Sequence, residues 1–163
     1  MGFIKCAVYA AGIGILSFLL GRMLPEKWVQ PDHFPYRSFS WEKEGKIYST
    51  LFHIKSWQAK VPDMSRIFPK MMQAKKVTPD FGRELPIMIR ETCVAEFIHL
   101  LLCPLALPCL WLWPGAGGIL FVIFYILLGN LPFIMIQRYN RPRLLKLQEK
   151  MAHTQKGKLK WLY

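Results

Sequence analysis

FIHLLLCPLALPCLWLWPGAGGILFVIFYILLGNLPFIMIQ, residues 97–137, holds no Lys, Arg, Asp or Glu. As one helix these 41 residues would extend about 60 Å, twice the hydrocarbon thickness of a bilayer. The stretch must therefore fold back on itself. Trp111-Leu-Trp-Pro-Gly-Ala-Gly-Gly118 supplies the reversal, because Pro and Gly break helices and tryptophan favours the membrane interface. Two spans follow, over residues 88–113 and 117–137. Pro104 and Pro108 kink the first of them in its outer half, where a re-entrant segment is the alternative.

Working outward, residues 6–21 form another uncharged run, and with Met1 to Ile4 they make a first span over residues 3–21. A cleaved signal peptide would need a basic n-region and a small-x-small exit. The exit here is Leu19-Leu-Gly-Arg-Met-Leu-Pro25, which favours an uncleaved helix. The expected fold is an all-α membrane protein, a single domain with three transmembrane helices. An interfacial segment, residues 22–87, joins the first span to the second, and residues 138–163 form a basic tail.

The charge is one-sided. Of 22 Lys and Arg against 10 Asp and Glu, 13 basic residues lie between Arg22 and Glu91 and eight from Arg138 onward. A soluble basic chain would point to nucleic acid. Here the charges flank apolar runs, so anionic membrane lipids are the expected partner and nucleic acid is not. The positive-inside rule puts both basic segments in the cytoplasm and the N-terminus outside the cell membrane. Cys6, Cys93, Cys103 and Cys109 form no CxxC pair and read as packing residues.

The segment between the first two spans is rich in aromatic residues. Within residues 42–58, Ile47, Tyr48, Leu51 and Phe52 recur at helical spacing, with Lys43, Lys46 and His53 around the wheel. An amphipathic helix in the headgroup region is one reading, and a helix packed on its neighbours the other. A second short segment, residues 64–76, mixes apolar and basic residues in the same way.

Two clusters carry the candidate chemistry. Glu91, Glu96 and His99 fall within roughly 140° of one face at the start of the second span. Ionisable groups this close to the bilayer are costly and mark functional sites, although a headgroup-wetted helix end is the plainer reading. Gln137, Arg138, Asn140, Arg141 and Arg143 close the third span as a dense donor array suited to phosphate or carboxylate. A positive-inside anchor explains the arginines but not the interleaved Gln, Tyr and Asn. Asn130 stands two residues before Pro132, whose ring frees a backbone carbonyl, and it would satisfy that carbonyl or a neighbouring helix. Antiparallel topology should bring the two clusters together.

Taken together, these clusters resemble the glycosyl-4,4'-diaponeurosporenoate acyltransferase family, the staphyloxanthin-type carotenoid glycoside acyltransferases. The most specific likeness is Asn130-Leu-Pro132 followed by Gln137-Arg-Tyr-Asn-Arg-Pro-Arg-Leu144. Glu91-Thr with Ala95-Glu96-Phe-Ile-His99 comes next. Glu42-Lys-Glu-Gly-Lys46 and Lys55-Ser-Trp57 leading to Pro62-Asp63 are weaker echoes. The resemblance implies transfer of a fatty acyl chain to a sugar hydroxyl of a lipid-like or carotenoid-like glycoside, with the acceptor's identity left open.

Chemistry then assigns roles. His99 would act as general base on the acceptor hydroxyl, with Glu96 orienting it through the second ring nitrogen and Glu91 beside them. Arg138, Arg141 and Arg143, with Gln137, Asn140 and Asn130, would bind the substrates. They would hold the phosphates of a thioester acyl donor or stabilise the oxyanion. No cofactor or metal is expected. Two rival readings remain: a metal-assisted enzyme using Glu91, Glu96 and His99, and a non-enzymatic subunit that binds anionic lipid.

Overall fold

A computed structural model describes residues 1–61 and 81–160, with side chains described as far as Thr154 and that of Phe81 excepted. The segment 64–76, and Pro62-Asp63 with it, lies outside the described residues. Helix α1 spans Gly2–Met23. Short helices α2 (Lys46–Thr50) and α3 (Ile54–Trp57) follow, and then α4 (Phe81–Leu105) and α5 (Cys109–Leu112). After the turn come α6 (Ala116–Phe124), a π-helical turn at Tyr125–Asn130, and α7 (Leu131–Lys160). Among the described residues there is no strand. Three helical stretches are long and apolar enough to cross a membrane: Gly2–Met23, Gly82–Leu112 and Ala116–Thr154.

The breaks fall where the sequence chemistry puts them. The rings of Pro104 and Pro108 leave no N–H for the helical ladder, and Ala106, Leu107 and Cys109 donate i→i−3 bonds between α4 and α5. The reversal at Trp113 to Gly115 then starts α6, with Gly115 at φ 91°. Pro132 likewise deprives the carbonyl one turn earlier of its donor. Just upstream the helix widens into the π turn that ends at Asn130.

Helices α4 and α7 form the most extensive contact, antiparallel, with α1 lying along α4. Gly21 permits that approach: a Cβ there would stand 2.3 Å from Ile98 Cδ1. Gly12 and Gly14 face open space instead. Leu16, Leu19, Leu120, Phe124 and Leu128 point outward. In water each such side chain would forgo roughly 1.5–3 kcal/mol of burial. Lipid is the solvent that suits this surface.

Residues 42–58 do not form one amphipathic helix. Lys43, Glu44, Gly45 and His53 all have positive φ, and each such residue interrupts a right-handed helix. Short turns result, and they fold against α7. Tyr48 and Ile54 are buried with Met135 and Tyr139. Gly45, at φ 82°, lies so close to α7 that a Cβ would meet the Arg138 and Tyr139 carbonyl oxygens at 3.1 and 3.2 Å. That close seat delivers Glu42 to the helix pair.

Candidate active site

Four charged side chains interlock where the α1–α4 segment meets α4 and α7. Glu96 is fully buried, and its two oxygens accept from Arg138 Nη1 and Arg141 Nη2, each at 2.5 Å. Glu42 accepts from Arg138 Nε at 2.5 Å and Nη2 at 2.8 Å, from the Phe39 amide at 2.7 Å and from the Tyr48 hydroxyl. The remaining donors of Arg138 go to the Pro35 and Arg37 carbonyls. Every N–H of that guanidinium is thus engaged, and its face stacks on Phe39 at 4.6 Å. Arg141 donates further to the Thr92 hydroxyl and carbonyl and to the Tyr36 carbonyl.

Two carboxylates balance two guanidiniums, and their hydrogen-bonding capacity is largely spent on one another. Unpaired, any one of them would be very costly at this depth. Burial pushes the Glu42 carboxyl up. The Arg138, Tyr48 and Phe39 hydrogen bonds outweigh it and hold the carboxyl below its ordinary value. Burial, aided by the hydrogen bond to Glu42, pushes the Tyr48 hydroxyl well above its ordinary value, so it stays a donor.

About one turn deeper the arrangement changes. His99 stacks on Phe133, ring centroids 4.5 Å apart and nearly parallel. Its Nδ1 lies 3.0 Å from Asn130 Oδ1. Asn130 Nδ2 donates to the Tyr125 carbonyl at 2.9 Å. A carbonyl only accepts, so the amide nitrogen must face Tyr125 and the amide oxygen must face His99. His99 therefore donates from Nδ1, and Nε2 keeps its lone pair. That nitrogen meets no hydrogen-bonding partner among the described residues. Such a ring, tautomer set and Nε2 unclaimed, has the form of a general base.

The other expected residues divide. Glu96 stands with the arginine cluster, as the topology implies, but it does not orient His99; Asn130 does. The reason is helix phase. Some 60° separates Glu96 from His99, enough to send one to Arg138 and Arg141 and the other to the π turn. Glu91 turns away to α1, where its oxygens accept from Arg22 at 2.9 and 3.2 Å. Glu91, Glu96 and His99 therefore do not converge, and no group of three metal-ligating side chains is found among the described residues. Arg143 is exposed, stacks on Tyr139 and donates to its carbonyl. Asn140 is partly exposed beside it. Gln137 is buried, and its Oε1 has no hydrogen-bond partner among the described residues.

Glu42, Tyr48, Thr92 and Tyr36 take no assigned part in the reading from sequence. Glu42 had a usable signal. It opens the run Glu42-Lys-Glu-Gly-Lys46, one of the weaker echoes of the family resemblance. Tyr36 and Thr92 act partly through backbone carbonyls, which leave no trace in side-chain chemistry.

The protein thus has three helical stretches of bilayer-crossing length, with a buried ion-pair cluster and a histidine stacked beneath it. The family model for glycosyl-4,4'-diaponeurosporenoate acyltransferase matches residues 26–150. Relatives of that name from Staphylococcus aureus strains bovine RF122 / ET3-1 and MRSA252 are each 31% identical over 143 residues, covering 87% of this chain and 85% of theirs. The relative from strain N315 is 30% identical over the same span. The chain belongs to the glycosyl-4,4'-diaponeurosporenoate acyltransferase family and is an acyltransferase. No solved structure matches it.

Proposed function

We propose that this chain is a membrane-embedded O-acyltransferase that moves a fatty acyl group to a hydroxyl of a glycosylated, carotenoid-like lipid at the cytoplasmic interface. The observation that carries this reading is the Tyr125–Asn130–His99 chain of hydrogen bonds, which leaves His99 Nε2 basic and unengaged. The relatives' name supports the acceptor class, since they are called acyltransferases of a glycosyl-diaponeurosporenoate.

His99 takes the proton of the acceptor hydroxyl as its oxygen attacks the acyl carbonyl. Asn130 is the positioning residue. The donor is a thioester whose phosphates rest on the rim, where Arg143 and Asn140 are accessible. Arg138 and Arg141 hold the rim in place through Glu42 and Glu96. The apolar faces of the second and third spans seat the acyl chain. Glu91 serves by tying α1 to α4 through Arg22.

The chain forms one domain that crosses the membrane three times, over residues 3–21, 88–113 and 117–137. Its N-terminus is outside, and both basic segments lie against anionic lipid of the inner leaflet. In purified protein reconstituted in lipid, His99→Ala should reduce acyl transfer on the order of 10²–10⁴-fold without lowering Tm. Transfer at the wild-type rate would refute the base assignment.

A further inference from the structure

The segment between α1 and α4 carries a row of aromatic rings that the fold leaves partly uncovered. Ring centroids are 6.4 Å apart from Phe34 to Phe39, and 6.3 Å apart at each step from Phe39 to Trp41, Tyr48 and Phe52. Tyr48 is buried and Phe39 half-buried, and these two hold the row to the rest of the protein. The other three rings are open. Phe34 is 76% exposed, Trp41 59% and Phe52 46%, with Leu51 beside Phe52 at 64%. Single exposed apolar residues are ordinary, whereas a contiguous patch marks an interaction surface.

The two anchoring rings fix the level of the row. Tyr48 is buried with Met135 and Tyr139 of α7, and Phe39 lies on the Arg138 guanidinium at 4.6 Å. The uncharged run of the third span ends at Gln137. The row therefore meets α7 across the turn where apolar sequence gives way to charge. In a bilayer that turn marks the boundary between hydrocarbon and headgroups, the layer where Trp and Tyr rings settle. Leu127, Leu128 and Leu131 point outward on the turns of the third span before it.

Charge decides what covers the row. Lys43, Lys46 and Lys55 are exposed along it. Glu42, next to Trp41, is spent on Arg138 and Tyr48, and the exposed Glu44 pairs with Lys146. Open aromatic rings among lysines suit anionic headgroups. Protein interfaces, by contrast, are depleted in lysine.

We infer that the row Phe34–Phe39–Trp41–Tyr48–Phe52 is a membrane-interface anchor, with Phe34, Trp41 and Phe52 inserted among the lipid headgroups at the charged end of the spans. The inference rests on the membrane-embedded reading above and not on the role of His99. Turns build this anchor instead of an amphipathic helix: the left-handed residues Lys43, Glu44 and Gly45 bring the Tyr48 ring back beside Trp41. Phe39 and Glu42 both touch Arg138, so an anchored row holds the ion-pair cluster at headgroup depth. That is the depth at which a glycosylated lipid presents its sugar.

The test uses the full chain reconstituted in vesicles of phosphatidylcholine and phosphatidylglycerol, floated on a density gradient after an alkaline wash. Trp41 emission is read as the difference between wild type and Trp41→Phe. Two quenchers are compared, lipid brominated near the top of its acyl chains and aqueous acrylamide. The brominated lipid should quench Trp41 several-fold more strongly than acrylamide. Phe34→Ser with Phe52→Ser removes two open rings and leaves the buried contacts in place. The double variant should float as before, with the quenching ratio shifted toward acrylamide. Stronger quenching by acrylamide in the wild-type background would overturn the inference. Trp41 reached by neither quencher would mean that another protein or a second copy covers the row, and would overturn it too. So would an unchanged ratio in the double variant, because Trp41 would then sit at the interface without the row. A chain that fails to float would overturn the membrane reading itself.

Discussion

Two polar tiers lie one above the other between α4 and α7, and the fold treats them oppositely. In the upper tier Glu42, Glu96, Arg138 and Arg141 meet one another and a ring of carbonyls until hardly a donor is spare. In the lower tier His99 and Asn130 share one bond, Asn130 donates on to the Tyr125 carbonyl, and His99 Nε2 meets no hydrogen-bonding partner among the described residues. A saturated buried network rigidifies a structure. An unsaturated one persists at a stability cost, and that is common where substrate completes it. The arginine motif that looked most like a binding array thus has its donors spent within the fold, and in the function we propose it is the sparser tier beneath it that carries the chemistry.

Glu96→Ala should break this contrast most severely. It strands two buried guanidiniums, at a cost of about 3–5 kcal/mol. Tm and the yield of folded protein should fall together with activity. If Tm holds while transfer is lost, the upper tier is catalytic and the division fails. Asn130→Ala should do the reverse, costing roughly 10²-fold in kcat through misplacement of the base with little change in Tm. The ring nitrogens of labelled His99 should then lose their single-tautomer ¹⁵N signature. An unchanged signature would mean that Asn130 does not set the tautomer.

Acid sharpens the comparison more gently. The Glu42 carboxyl is depressed in the folded protein, so its stabilisation is present above the ordinary glutamate range and is lost as pH falls through the lowered value. Thermal unfolding should show an acid limb below about pH 4, and Glu42→Gln should remove that limb while lowering stability at neutral pH. An acid limb of the same size in Glu42→Gln would place its origin elsewhere. Arg143→Ala should matter least: no change in Tm and a few-fold rise in donor KM, as suits an exposed guanidinium worth about 0–1 kcal/mol in an ion pair. A large fall in kcat instead would move Arg143 into the reacting tier.

The helical hairpin was legible because a charge-free run of this length admits few other solutions in a bilayer. The nearness of Glu96 to Arg138 and Arg141 was legible too, since an antiparallel pair must bring those ends together. Two things were not. Glu96 was expected to orient His99, and the fold gives that role to Asn130, because a difference in helix phase matters only once the partner helix is in place. The contact of Glu42 with Arg138 was not legible either, although the run it opens stood out: the left-handed turns at Lys43, Glu44 and Gly45 that seat it on α7 leave the apolar spacing of the sequence unchanged.

Apolar run length, Pro and Gly placement and charge asymmetry determined by themselves that this chain has three helices long and apolar enough to cross a membrane. These signals are local and additive, so they survive in a linear string. Which polar groups saturate one another and which stay free was decided only by tertiary structure. Hydrogen-bonding capacity is finite and is claimed in three dimensions, by side chains and carbonyls as far apart in sequence as Pro35 and Arg138. The one-sided charge thus includes a structural clasp above and, in the function we propose, an acid–base site below.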